Sequence, residues 1–340
     1  MELIELTKKL CALPGPAGFE EPVSAFLTEY LKPFADEIRT DVLGNMIAIH
    51  RCGKSGAKMV MLDAHMDEIG FIVTGAEKGF LSFAMIGGVD QRMLPAREVR
   101  VLTEPPLFGV IDTMPPHVLA AEEMGKAIDP DKLFIDVGLS QEQAEKAVPP
   151  GTPVVYAAGC EEMGDQWLCG KALDDRACAA IIIKAFAKLS REDLNVDICC
   201  QISTQEEVGH RGARVGTWGI QPDIAIAVDV THAKSPDGRE VPIECGKGAA
   251  IGIGPNMSPA LAHELLALAK EQGITHQIEV DAGGNSGTDA EAIQVSRTGV
   301  ATALVSLPLK YMHTPVEVVY QEDMTAIYEL LTAYVDRMEV

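Results

Sequence analysis

The chain has 340 residues, 47% apolar and 23% charged, enough for a substantial core and for two domains. Its formal charge of −22 lacks the clustered Lys and Arg that a phosphate backbone requires, which excludes nucleic acid as an expected partner. The most apolar run, residues 177–186, is broken by Lys184 and too short to span a bilayer. Residues 1–10 read as the start of an amphipathic helix without a leader's apolar region, so a cytoplasmic protein with no membrane partner is expected. Helical periodicity covers 2–13 and 19–34, separated by the turn signal Pro14-Gly15-Pro16-Ala17-Gly18. Residues 37–40 and 46–50 form a hairpin around Leu43-Gly44-Asn45, and an apolar strand over 58–64 runs into His65-Met66-Asp67-Glu68.

From 69 to 158 short β-like runs alternate with Gly and Pro, at 70–74, 81–86, 98–102, 108–112, 133–137 and 153–156. A single helical stretch lies near 140–147, and this texture predicts a small β-barrel or sandwich inserted into another fold. After Leu173-Asp174-Asp175-Arg176 helices and strands alternate again. A buried helix over 176–189 is followed by strands at 196–203, 223–229 and 249–252. Ser258-Pro259 opens a helix that Gly273 closes, strands follow at 276–281 and 301–306, and 321–337 is a terminal helix. The expected fold class is α/β, a mixed, mostly parallel doubly wound sheet flanked by helices with an inserted small β-barrel. The expected division is one discontinuous domain, 1–68 with 159–340, and an inserted domain, 69–158. The eight cysteines show no C-x-x-C spacing and several lie in apolar elements, so reduced, buried thiols are expected.

The apolar run ending at Ile202 leads into Thr204-Gln205-Glu206-Glu207-Val208-Gly209. Two adjacent carboxylates at the end of a buried strand are costly unless each has a task. Hydrolytic metal sites offer two tasks, binding the metal and moving the proton of water. Candidate partners stand at other element ends: His65, Asp67, Asp174, Asp175, Asp229 and His313. Ligands of open α/β sheets bind outside the carboxyl ends of the strands, where such scattered residues converge. Histidines with several carboxylates suit zinc, cobalt or manganese. Taken singly, each reads as a cap or loop residue, and Asp174-Asp175 as an N-cap; recurrence at several element ends favours a site.

The segments His65-Met66-Asp67-Glu68-Ile69-Gly70-Phe71, Ala172-Leu173-Asp174-Asp175-Arg176, Gln205-Glu206-Glu207-Val208-Gly209, Val228-Asp229-Val230-Thr231 and Tyr311-Met312-His313-Thr314-Pro315 resemble, in this order, the glutamyl and tetrahedral (TET) aminopeptidase family. Gly87-Gly88-Val89-Asp90-Gln91-Arg92-Met93-Leu94-Pro95 is similar to part of that family's inserted domain, so the likeness covers essentially the whole chain. It implies a zinc-exopeptidase-like fold and a cytosolic two-metal aminopeptidase acting on short peptides. Asp174 would bridge two divalent ions, zinc or cobalt with manganese as a third option. His65 and Asp229 would complete one shell, Glu207 and His313 the other. The resemblance assigns catalysis to Glu206 as general base and acid, with Asp67 orienting His65. It implies an unusual, cis peptide bond between Asp174 and Asp175. It also implies a homo-oligomer, with the inserted domain pairing subunits into a hollow twelve-subunit tetrahedron.

There are departures: Cys178 stands where Gly is common, Gly209-His210-Arg211 replaces a commoner Gly-Leu-Arg, and Val89 stands where an aromatic is frequent. His210 reads as a surface histidine or as a contact that alters substrate preference. Gly283-Gly284-Asn285-Ser286-Gly287-Thr288-Asp289 lacks the Lys and helix start of a phosphate loop, leaving a turn or a pocket-shaping segment. A glycoside hydrolase is the alternative enzyme class, disfavoured because only 5% of the residues are aromatic. A related two-metal deacylase or carboxypeptidase is a further alternative, which the placement of the insertion between His65 and Asp174 disfavours. A catalytically inactive scaffold is disfavoured because every ligand position holds a competent residue.

Overall fold

A computed structural model describes residues 1–118, 126, 128–236, 241–283 and 285–339. Helices α1 (Leu3–Ala12) and α2 (Glu21–Leu31) precede strands β1 (Glu37–Thr40), β2 (Met46–His50) and β3 (Met59–His65). Then come β4 (Gly70–Glu77), β5 (Phe80–Ile86), β6 (Glu98–Val101), β7 (Leu107–Ile111), β8 (Ile135–Asp136), α3 (Gln141–Ala147) and β9 (Pro153–Tyr156). Strands β10 (Cys160–Met163) and β11 (Trp167–Gly170) lead to α4 (Leu173–Leu189), β12 (Asp197–Ser203), α5 (Arg211–Ile220) and β13 (Ile224–His232). The chain ends in β14 (Ala249–Ile253), α6 (Pro259–Gln272), β15 (His276–Val280), α7 (Ala290–Gln294), β16 (Ala301–Lys310), β17 (Glu317–Tyr320) and α8 (Gln321–Asp336).

The expected mixed α/β sheet has eleven strands, ordered β1-β2-β12-β3-β13-β16-β17-β11-β10, with β14 joining β16 and carrying β15. Its centre, β12-β3-β13-β16, is parallel, and antiparallel strands extend both sides. Parallel central strands are covered on both faces, which is why β3 is buried along its whole length. Helices α1, α2, α4, α6 and α8 pack Leu6, Leu27, Ile181, Leu265 and Leu330 against one face. On the other face α5 and α7 place Ala213 and Ile293 against Ile47, Met61 and Ala225. The inserted stretch closes into an antiparallel barrel, β4-β5-β8-β7-β6-β9, around a separate core. There the ring of Phe71 meets Phe83 and Tyr156 edge-on, with centroids 5.3 and 5.2 Å apart.

Helix α5 was not anticipated, because Gly212 and Gly216 lower helix propensity. Both glycines serve close approach. A Cβ on Gly212 would lie 2.3 Å from Asn45 Oδ1, and one on Gly216 would lie 2.1 Å from Gln201 Oε1. The eight cysteines are free and five of them are buried, as expected. Among the described residues no helix is long and apolar enough to cross a membrane. Gly284 of the Gly-rich stretch lies outside the described residues.

Candidate active site

Strand register decides which side chains meet. Ser203 at the end of β12 pairs with His65 at the end of β3, and Ala227 of β13 pairs with Asp63 of β3. Asp229, two residues beyond Ala227, therefore emerges at the same carboxyl edge as His65. The loop after β12 carries Glu206 and Glu207. The start of α4 supplies Asp174 and Asp175, both with non-helical backbone angles and joined by a cis peptide bond. His313 comes from the turn between β16 and β17, in left-handed backbone with φ 61.

The structure brings these residues together around one cavity of about 550 Å³, lined by Asp174, Glu206, Glu207, Asp229 and His313 among others. His65 Nε2 lies 3.1 Å from Asp174 Oδ1, and His313 Nε2 lies 3.4 Å from Asp174 Oδ2 and 3.5 Å from Glu207 Oε2. Three sets of donor atoms each converge within 4.8 Å: His65, Asp175 and Asp229; Asp174, Glu207 and His313; and Glu206, His210 and Asp289. Asp175 is itself one of the first set, and its Oδ2 also accepts the His65 amide at 3.3 Å. Asp67 sits behind the front layer. Its carboxylate accepts the backbone N–H groups of Glu206 and Glu207 at 3.0 and 3.2 Å, and Oδ1 lies 3.5 Å from His65 Nδ1. The Asp67 carbonyl lies closer to the same nitrogen, at 3.2 Å, so this one residue holds the adjacent carboxylate pair through its side chain and the imidazole through both backbone and side chain.

Sequence reasoning did not single out Glu317. Its carboxylate accepts the backbone N–H of Asp174 at 3.1 Å and of His313 at 2.9 Å, tying the two segments together. The signal was its position, a carboxylate opening a strand four residues after His313. Arg176 was quoted as part of a motif without a role. It is wholly buried and donates to the carbonyls of Met66, Leu10 and Gly15 and to Glu68, which also pairs with Lys171 at 2.6 Å. This network clamps the N-terminal segment to the strand end that presents His65 and Asp67. The inserted barrel also reaches the site, since Gly88 O lies 3.0 Å from His313 Nδ1. A Cβ at Gly88 would lie 2.7 Å from that nitrogen, so the approach needs glycine. His210 is not a free surface residue. Its Nδ1 lies 2.6 Å from Thr288 O and its Nε2 lies 3.6 Å from Glu206 Oε1, so the Gly-rich stretch borders the site through Thr288.

The electrostatics are those of crowded buried carboxylates. Burial pushes Glu206 up to about 11, with Asp229, Asp289 and Glu207 adding to the effect against the opposing pull of His65. Burial likewise takes Glu207 and Asp229 up to about 8, each helped by Asp174. Burial also acts against the Asp174 carboxylate, but contact with His313 and His65 prevails and holds it well below the usual carboxylate range. Burial opposes charge on His313, yet Asp174 and Glu207 raise it to about 9. Asp175 Oδ1 is buried with no hydrogen-bond partner. Carboxylates in excess of imidazoles, out of water and with an orphaned oxygen, fit divalent cations, which supply the charge that the protein does not.

Comparison with known proteins agrees with this chemistry. Residues 44–330 match the M42 glutamyl aminopeptidase family. The lysyl aminopeptidase of Pyrococcus furiosus is 38% identical over 98% of this chain and 97% of its own. Aminopeptidase APDkam598 from the archaeon Desulfurococcus kamchatkensis superposes with a TM-score of 0.92 at 36% identity, covering 99% of this chain and 95% of its own. The Pyrococcus horikoshii TET1 peptidase, described as assembling into a tetrahedron or a large octahedral shell, gives 0.88 at 32% identity over 99% and 100%. The chain belongs to the M42 glutamyl aminopeptidase family and is a metal-dependent aminopeptidase.

Proposed function

We propose that the enzyme removes residues from the N-termini of short peptides at a two-metal centre in which His65 and Asp229 hold one ion, Glu207 and His313 hold the other, and Asp174 serves both. The observation that carries this reading is the Asp174 carboxylate, whose two oxygens face different imidazoles, His65 at 3.1 Å and His313 at 3.4 Å. Zinc and cobalt suit this donor set, with manganese as a third option. When bound, the ions supply Lewis acidity that polarises the scissile carbonyl and lowers the pKa of water.

Glu206 is the proton carrier. It takes a proton from the attacking water and returns it to the departing amine. It belongs to neither proposed ligand set but borders one, with Oε2 3.9 Å from His65 Nε2; it groups instead with His210 and Asp289, and its backbone is held by Asp67. Asp67 acts through its neighbours, orienting His65 and fixing the loop on which Glu206 and Glu207 stand. The glycosidase reading finds no support, because among the described residues no Phe, Tyr or Trp lines the cavity to stack on a sugar.

The inserted domain, 69–158, is read as the dimerisation unit, and the protein as a cytoplasmic homo-oligomer of the twelve-subunit tetrahedral type. Exposed Phe80, Phe108 and Met114 on that segment support the reading, as does the assembly described for the Pyrococcus horikoshii peptidase. A monomeric mass in solution would overturn it. The names of relatives point opposite ways on the substrate's first residue, lysyl for one and glutamyl for the family. The test of the activity is a panel of short peptides offered to the protein loaded with zinc or cobalt. Release of N-terminal residues is expected, and release from none of them would refute the reading.

A further inference from the structure

The geometry points to a subsite for a basic N-terminal side chain, Lys or Arg, with the carboxylate of Glu279 as the group that receives its charge. The inference rests on the aminopeptidase reading and names the substrate class which that reading leaves open. Asp229 of β13 pairs with Ser306 of β16, and Thr231, two residues on, points to the same face. Glu279 lies on β15, beyond β14, where Gly252 faces Glu279 and Ala250 faces Ser306. These small residues let the Glu279 side chain cross to the neighbouring strands, where it accepts the Thr231 hydroxyl on one oxygen and the Ser306 hydroxyl at 2.7 Å on the other.

A carboxylate is thus fixed beside a proposed metal ligand, in the cavity that Glu206 and His313 also line. Its two partners are neutral hydroxyls, so its charge is oriented without being neutralised and acceptor capacity remains. Among the described residues no Lys or Arg lines this cavity. Met257 and Leu304 supply apolar wall for an aliphatic stem. Asp281, two residues past Glu279, adds a buried Oδ2 with no hydrogen-bond partner. If Glu279 only closed the sheet edge, a neutral amide would hold the same two hydroxyls. That difference is measurable.

The experiment compares kcat/KM on the p-nitroanilides of Lys, Arg, Leu and Glu for the metal-loaded wild type and for Glu279→Gln. It also measures binding of lysinamide and norleucinamide to the Glu206→Gln protein by calorimetry. We expect the wild type to favour Lys or Arg, and Glu279→Gln to lower those substrates roughly 10–100-fold while Leu changes less than about twofold. Lysinamide should bind more tightly than norleucinamide, a readout independent of turnover and of the Glu279 variant's folding. Preference for Leu or Glu, equal loss on Lys and Leu in the variant, or equal binding of the two amides would overturn the subsite and leave the aminopeptidase reading standing. Turnover of no substrate would remove both.

Discussion

His65 and His313 contact the same Asp174 carboxylate from opposite surroundings. His65 ends a central strand, its side chain is 2% exposed, and Asp67 lies behind its second ring nitrogen. His313 stands on a turn, its side chain is 32% exposed, and its second ring nitrogen meets a barrel carbonyl at Gly88. One half of the site is held by the buried sheet. The other half is held by a turn, by Glu317 and by the inserted segment. The His65 side is therefore expected to bind its ion more tightly and to be less sensitive to changes in the barrel.

The largest effect is expected from Asp174→Ala, which removes the side chain common to both halves. Elemental analysis should show metal lost from both positions, with activity reduced well beyond the roughly 10–100-fold typical of removing an outer partner. Retention of an active, fully loaded protein would show that Asp174 is not shared. Asp67→Asn and Glu317→Gln bear unequally on the halves, each costing about 10–100-fold in metal affinity or rate. Asp67 holds Glu207 as well as His65, and Glu317 holds the shared Asp174 as well as His313, so both steps move in each variant. Cobalt titration should show the larger change in the tighter step for Asp67→Asn and in the looser step for Glu317→Gln; the same step most weakened in both would dissolve the distinction. Gly88→Ala is expected to weaken only the looser step, by roughly tenfold, through displacement of His313. An unchanged titration would mean that the barrel contact does not position the imidazole. The smallest effect is expected at Cys178, wholly buried in α4. Cys178→Gly should lower stability by about 1 kcal/mol, read as a small drop in Tm with metal content unchanged. Loss of metal there would make the position more than packing.

Much of the buried half is legible in the sequence, because there an apolar run ends abruptly in polar residues: 58–64 before His65, 196–202 before Glu206, and 223–228 before Asp229. Strand periodicity marks the end of each run, and the end of a parallel strand is where a ligand belongs. The exposed half was less legible. Glu317 opens a strand instead of closing one, and its partners are backbone amides that side-chain patterns do not reveal. Strands β10, β11 and β17 are short and gain their place only by pairing with one another and with β16. The barrel's texture was visible, but its order was not, since β5 pairs with a two-residue β8 far along the chain. Helix α5 hid behind glycines whose use is contact with Asn45 and Gln201, a tertiary reason that overrides propensity.

The proposed mechanism divides labour between two adjacent glutamates, Glu206 for the proton and Glu207 for the metal. Glu206→Gln tests it most directly, with metal content and kcat measured on the same preparation. The variant should retain the metal content of the wild type while kcat falls by about 10²–10⁴-fold. Loss of metal from Glu206→Gln, or turnover close to that of the wild type, would contradict it.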